Sequence, residues 1–265
     1  MDLGINGKTA LVLGGGGGLG RAIARAIALA LAGEGVKVAL ADIAPDALAT
    51  SVAAVAALGS MTHGITWDLA DIGRVDAHIA EAERTLGPVD ILVNNTGGPP
   101  PTPAAGQDPT LWAEQFNAMV LSVIAITDRV LPGMRARRWG RIITSTSSGV
   151  VAPIPNLAMS NALRLSLVGW SKTLSREVGP DGVTCNIVLP SRVATDRTHY
   201  IDSGRARREN RSIEEVQAES AASMALRRYG NPSEYGDVIA FLASERASYI
   251  TGSVIRVDGG LIASV

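Results

Sequence analysis

The chain is poor in the residues that build disulfides and metal centres. It contains one cysteine and three histidines among 265 residues. A single cysteine excludes an internal disulfide, and no Cys-x-x-Cys or His-Glu-x-x-His spacing is present, so we expect no metal site. Cys185 lies in V-T-C-N-I-V-L, an apolar run that predicts a buried strand more readily than a nucleophile.

The chain also lacks an excess of charge of one sign and lacks long apolar runs. Lys and Arg number 24 against 25 Asp and Glu, a balance that gives no basic field for nucleic acid. No uncharged apolar run approaches the roughly 20 residues of a membrane helix, and M-D-L-G-I-N-G-K does not begin like a signal peptide. We expect a cytoplasmic protein that binds neither nucleic acid nor membrane.

What is present is a strict alternation of short Val/Ile/Leu-rich runs with longer Ala-rich segments. Apolar strands alternating with helices predict a parallel sheet covered on both faces, and hence a single doubly wound α/β domain of the Rossmann type. The predicted strands are 8–13, 36–41, 61–66, 89–94, 140–146, 183–189 and 254–257. The predicted helices lie near 18–32, 45–57, 71–86, 110–136, 157–179, 200–226 and 232–244.

Two loops are expected on the ligand side of this sheet. Residues 97–109 contain five prolines, which predict a stiff and mostly apolar wall after the fourth strand. Residues 13–20, L-G-G-G-G-G-L-G, join the first strand to the first helix. Without a Cβ the backbone can approach a diphosphate there, at a helix N-terminus, and the glycines fit both registers (15, 17, 20 and 14, 18, 20).

Asp42 ends the second strand, 22 residues beyond Gly20, and no Lys or Arg follows it directly. A carboxylate at this position accepts hydrogen bonds from the ribose hydroxyls of a dinucleotide and repels a 2′-phosphate. The sequence therefore favours NAD as cofactor over NADP.

Further motifs are similar to those of the short-chain dehydrogenase/reductase family nearly end to end. They include W-D-L at 67–69, N-N-T-G at 94–97, P-S-R-V-A-T at 190–195 and the tail F-L-A-S-E-R-A-S-Y-I-T-G. The resemblance implies a nicotinamide-dependent oxidoreductase that acts on a small alcohol or carbonyl compound, with a substrate lid at about 192–228. It implies cofactor contacts at Gly14, Gly18, Leu19, Gly20, Asp42, Asp68, Leu69, Asn94, Gly97, Arg164, Val193 and Thr195.

The catalytic positions depart from the family pattern. The resemblance places Ser160 where a tyrosine is usual, Arg164 where a lysine is usual and Met119 where an asparagine is usual, while Ser147 matches the family's serine. A serine hydroxyl is a far weaker acid than a phenol, and arginine is a poor proton shuttle. Ser147, Ser160 and Arg164 remain the candidate catalytic residues, with Arg164 holding the nicotinamide half.

Two nearby features leave alternatives open. We hypothesise that His199 or Tyr200 reaches the site when the lid closes and supplies the proton; a surface loop is the alternative. Six arginines between 192 and 211 would steer an anionic substrate, or simply form a solvated helix face. They are Arg192, Arg197, Arg205, Arg207, Arg208 and Arg211.

The departures also leave the reaction open. Besides hydride transfer, the sequence allows isomerisation or elimination on a protein with tightly bound NAD, or a non-catalytic NAD-binding regulator. The resemblance implies a homotetramer, with a dimer as the alternative, and contacts through the long helices near 110–136 and 157–179.

Overall fold

The apolar runs form strands and the segments between them form helices, as the alternation predicts. The computed structural model describes residues 2–14 and 21–265. Within these residues the strands are β1 (Thr9–Leu13), β2 (Lys37–Asp42), β3 (Thr62–Thr66), β4 (Ile91–Asn94), β5 (Gly140–Ser145), β6 (Val183–Pro190) and β7 (Val254–Val257). The helices are α1 (Arg21–Gly33), α2 (Pro45–Ala56), α3 (Val75–Leu86), α4 (Pro109–Phe116), α5 (Ser122–Ala136), α6 (Ala158–Val178), α7 (Asp196–Glu209), α8 (Ile213–Ala222) and α9 (Pro232–Ala243).

The strands form one parallel sheet in the order β3-β2-β1-β4-β5-β6-β7. The register places Leu11 beside Ala39 in β2 and beside Leu92 in β4. The strand order reverses between β1 and β4, and ligands of such sheets bind at the carboxyl ends of the strands near this reversal. The predicted doubly wound fold is confirmed.

Both faces of the sheet are buried, which explains why its strands are apolar throughout rather than alternating. On one face α1 and α9 pack through residues such as Ile27 and Ile239. On the other face α3, α5 and α6 contribute Ile79, Ile126 and Leu174. Residues on the strands are therefore fixed from both sides, and the loops at the strand ends are held at a defined place.

The helix predicted at 200–226 is wrong, because the structure has two helices there. Helix α7 ends at Asn210, whose backbone is left-handed with φ of 50°, and α8 starts from Ser212. Ser212 and Glu215 form a reciprocal capping box, a sequence signal that the pattern Ser-x-x-Glu carries. The apolar spacing alone did not reveal this break.

One helical stretch, Pro109–Ala136, meets the length and composition of a helix that could cross a membrane. In this structure it is interrupted by a π-helical turn, Asn117–Leu121, and α5 packs against α3 and the sheet. Arg129 on α5 forms ion pairs with Asp76 and Glu83 of α3. These contacts are those of a core helix in an α/β domain.

Candidate active site

The carboxyl ends of β1 to β4 surround a cleft of about 240 Å³. Gly14 follows β1 with φ of 73°, a conformation that favours glycine. A Cβ on Gly14 would lie 2.6 Å from the carbonyl oxygen of Asn95, so no other residue fits. The predicted contacts at Gly18, Leu19 and Gly20 lie outside the described residues.

Two carboxylates line this space, which we call the adenosine cleft after its predicted ligand, together with Leu69. Asp42 is 5% exposed, and its Oδ1 accepts the backbone N–H of Ala44 at 3.0 Å. Asp68 is exposed, and its Oδ1 accepts the N–H of Ala70 at 2.9 Å. Each side chain is held by a local turn while it faces the cleft, so Asp42 stands where it would meet the ribose hydroxyls. Two acceptors of this kind fit the hydroxyl and amino donors of an adenosine.

The structure does not bring the side chain of Asn94 to the cleft. That side chain is 1% exposed, and its amide lies 3.3 Å from the hydroxyl oxygens of Thr127 and Thr144 inside the protein. Successive strand residues point to opposite faces, and it is Asn95 that lines the cleft, with Gly97 two residues further on. Asn94 therefore ties β4 to its neighbours.

A second and larger cavity, of about 460 Å³, opens beyond the ends of β5 and β6. Ser147 and Ser160 both line it. The Ser147 hydroxyl accepts the N–H of Gly149 at 3.1 Å, which fixes its position. Ser160 lies in the first turn of α6, is 7% exposed, and has no hydrogen-bond partner among the described residues. Its hydroxyl is thus available to a ligand.

Arg164 lies one helical turn after Ser160 and is 8% exposed. Its guanidinium donates to the carbonyl oxygens of Gly97 (2.9 Å), Thr96 (3.3 Å) and Ser145 (3.3 Å). The side chain thus joins the end of β4 to the end of β5 at the border between the cleft and the cavity. Burial, and then the nearby charge of Arg197, lower the pKa of Arg164 to about 10.

Met119 is buried in the π-helical turn, where it packs with Met159 and Leu163 of α6. π-helical turns occur often at functional sites, but a thioether here offers no amide to hold water. The nearby Asn117 does not replace it, because its amide donates to the carbonyl of Ala70 at 2.8 Å.

Val193 and Thr195, two of the predicted cofactor contacts, line the cavity at the start of the predicted lid. The Val193 carbonyl accepts the hydroxyl of Thr198 at 2.6 Å, and Thr195 caps α7 by accepting the N–H of Thr198. The apolar wall comes from a different segment than expected. Ala152, Pro153, Ile154, Pro155 and Leu157 build it, and the loop at 97–109 pairs with this segment through Thr102.

The side chains of His199 and Tyr200 are exposed in this structure. His199 lies beside two other surface depressions, and Tyr200 is 44% exposed. The hypothesis that one of them supplies a proton on closure stays a prediction.

Sequence reasoning missed the role of two groups, the partly buried Arg197 and the buried Tyr235. Arg197 lines the cavity and donates to the carbonyl of Pro99 at 3.0 Å, although its place among six arginines gave no sign of this. Tyr235 lies beneath the cavity with its hydroxyl 3.0 Å from Ser145 Oγ, and burial raises the pKa of its phenol. Neither Tyr235 nor Cys185, whose pKa burial raises to about 12, acts as an acid or a nucleophile near neutrality.

The chain is similar in sequence to reductases. A family model described as enoyl-(acyl carrier protein) reductase matches residues 18–262. The 3-oxoacyl-(acyl-carrier-protein) reductase MabA of Mycobacterium avium is 33% identical over 198 residues, which cover 75% of this chain and 73% of MabA.

Solved structures are similar over a greater length. The L-sorbose reductase of Gluconobacter frateurii, solved with NADPH and L-sorbose, has a TM-score of 0.92 at 28% identity, and all of each chain is covered. A xylitol dehydrogenase solved with NAD⁺ has a TM-score of 0.89 at 25% identity, covering 97% of this chain and 99% of that one.

Proposed function

The chain belongs to the short-chain dehydrogenase/reductase family of NAD(P)-dependent oxidoreductases, and we propose that it moves a hydride between NAD(H) and the carbonyl carbon of a small substrate. One observation carries the proposal. The adenosine cleft and the 460 Å³ cavity share Asn95, Gly97 and Gly98, so a ligand along the strand ends reaches from Asp42 to Ser147. A cofactor in the cleft would present its reactive end to the two serine hydroxyls.

The proposed preference for NAD rests on Asp42. Relatives in this family use either cofactor, since the sorbose reductase was solved with NADPH and the xylitol dehydrogenase with NAD⁺. In this chain the residue after Asp42 is Ile43, which is 61% exposed and offers no charge to a 2′-phosphate. The buried carboxylate would repel that phosphate and accept the ribose hydroxyls.

Ser147 and Ser160 orient the substrate, in our proposal, by donating hydrogen bonds to its carbonyl oxygen. The bound nicotinamide supplies the hydride in the direction of reduction. Negative charge then develops on the substrate oxygen, and two hydroxyls together with the positive charge of Arg164 stabilise it electrostatically. A solvent water supplies the proton, because no group in the described cavity takes the place of the usual phenol.

Binding and turnover test the proposal separately. Calorimetric titration with NADH and NADPH is expected to show tighter binding of NADH. Turnover is followed by NADH absorbance against a panel of ketones, aldehydes and alcohols. Failure of both cofactors to bind would overturn the proposal. Binding without turnover of any compound would favour non-redox chemistry or a regulatory role.

We also propose a homotetramer, with a dimer as the alternative, and a cytoplasmic location. Support for assembly comes from exposed apolar side chains on the two long helical segments, namely Phe116, Leu121 and Leu165. Light scattering on the purified protein measures the mass, and a monomer would contradict the proposal. Subcellular fractionation tests the location.

A further inference from the structure

Among the described residues, four arginines line the large cavity, and they differ in how their charge is balanced. Arg192 pairs with the fully buried carboxylate of Asp202, and Arg205 pairs with Glu209 and Glu219. Arg164 and Arg197 have no carboxylate partner in the described part of the chain. Their hydrogen bonds go to backbone carbonyls only.

These two uncompensated guanidinium groups lie close together. Both approach the position that a Cβ on Gly98 would occupy, the Nη2 of Arg197 to 3.2 Å and the Nη2 of Arg164 to 3.7 Å. A Cβ at position 98 would crowd Arg197 and would touch Arg164 at an ordinary contact distance. Gly98 therefore leaves room for the pair at the mouth of the cavity.

Both groups keep donors that the described residues do not use. Arg164 uses three of its five N–H groups on carbonyls, which leaves two. The Nη1 of Arg197 is buried and has no hydrogen-bond partner among the described residues. An unsatisfied buried donor on a charged group is costly, so a negative charge near this guanidinium would be favoured.

The electrostatics point the same way. Burial lowers the pKa of both side chains, and the positive charge of Arg197 lowers the pKa of Arg164 further. Glu219 is the one acid among the described residues that line the cavity; it is held by Arg205 and Arg211 and does not neutralise the pair. A ligand that brings its own negative charge would be favoured here.

We propose that Arg164 and Arg197 bind the carboxylate of the substrate, and that the substrate is an oxo acid or the corresponding hydroxy acid. This rests on the proposed function and names its substrate class. The cavity wall of Ala152, Pro153, Ile154, Pro155 and Leu157 accommodates an apolar body beside the anion. The diphosphate of the cofactor is the alternative anion for these two arginines. The carboxylate is favoured because the pair lines the 460 Å³ cavity, which we call the reaction cavity, and not the adenosine cleft.

The test compares acids with their neutral esters. A series of 2-oxo and 3-oxo alkanoates and their methyl esters is titrated by calorimetry into protein with and without saturating NAD⁺, a form of the cofactor that cannot reduce them. The acids are expected to bind at least about 10-fold more tightly than the esters, the scale of one charge-assisted hydrogen bond. Equal binding would overturn the inference. The series is also run without cofactor, so the comparison of acids with esters tests the inference even if the protein fails to bind NAD.

Variants identify the residue and the source of the anion. Arg197→Gln is expected to weaken acid binding by roughly 10- to 100-fold, with ester and NADH affinity unchanged, and Arg197→Lys to restore part of it. Arg205→Gln is the matched control, because it removes an already paired cation from the same cavity and should leave acid binding nearly unchanged. A loss of NADH affinity in Arg197→Gln, with acids unaffected, would assign the pair to the cofactor diphosphate and overturn the proposal. Melting temperatures confirm that each variant is folded.

Discussion

The adenosine cleft and the reaction cavity lie side by side at one edge of the sheet and carry opposite charge. The cleft has two carboxylates, Asp42 and Asp68, each held by the N–H two residues further along the chain. The cavity has two serine hydroxyls and two arginines without carboxylate partners among the described residues. Gly97 and Gly98 line both spaces.

The difference shows which parts of such a site depend on the fold. Binding an adenosine requires short side chains at strand ends, and the sheet fixes these through its register and its buried faces. In the proposed function, the chemistry depends instead on side chains such as those on α6 and on the π-helical turn, which can change without disturbing the sheet. A family member can therefore keep its cofactor cleft while the reacting end takes a different form.

The largest expected effect lies in the reaction cavity. Ser147→Ala is expected to lower kcat by about 100- to 1000-fold, the usual cost of losing one donor to a developing oxyanion. Ser160→Ala is expected to behave similarly, since its hydroxyl has no other partner in the described chain. Steady-state kinetics and NADH titration measure the change. Ser147→Thr keeps a hydroxyl and should recover activity, and an unchanged kcat in both alanine variants would remove the serines from the mechanism.

Substitutions in the adenosine cleft are expected to change the affinity for the cofactor and not the chemical step. Asp42→Arg should shift the ratio of NADH to NADPH affinity by on the order of 100-fold, because two charge-assisted hydrogen bonds are lost and a 2′-phosphate partner is gained. Competitive calorimetry gives both dissociation constants. Asp68→Asn is the matched control, expected to change both affinities equally. If the ratio is unchanged in Asp42→Arg, the ribose is not held at this carboxylate.

The sequence predicted the sheet almost to the residue because burial on both faces leaves a simple signal. The predicted strand at 183–189 corresponds to β6, Val183–Pro190, and the strand at 254–257 is β7. The helix predicted at 200–226 was wrong, since apolar periodicity continues across Asn210 and the break depends on a left-handed residue and a capping box. Local turn chemistry decided that boundary, not hydrophobicity.

Positions in the candidate site were predictable where a residue lies at the end of a strand. Asp42 and Gly14 lie at the ends of β2 and β1, as the pattern required. Asn94 and Asn95 could not be told apart in this way, because only the register shows which amide faces the cleft. Arg197 could not be found either. Its environment depends on Pro99, which is 98 residues away in the chain.

The dependence of the reaction rate on pH tests the groups of the reaction cavity separately from the adenosine cleft. Ser147 and Ser160 do not titrate, and the pKa of Arg164, although lowered to about 10, leaves it protonated at lower pH. Initial rates of reduction should therefore vary less than about threefold from roughly pH 6 to pH 9, and fall only above pH 10, where the Arg164 charge is lost. The variant Ser160→Tyr/Arg164→Lys/Met119→Asn should instead gain a titration near neutrality or above it. A wild-type titration near neutrality would show that His199 or another group supplies the proton.

The smallest expected effect concerns the segment that covers the cavity but not the cleft. Ser212→Ala removes the cap of α8, which places Glu219 and Ser220 on the cavity wall, and caps contribute about 1 kcal/mol. Loosening α8 should raise KM for the carbonyl substrate by roughly two- to fivefold, while NADH affinity stays the same. Ser212→Asp keeps an acceptor for the N–H of Glu215 and should behave like the wild type. An equal loss of NADH affinity would mean that the segment supports both halves of the site, and the separation between cleft and cavity would not hold.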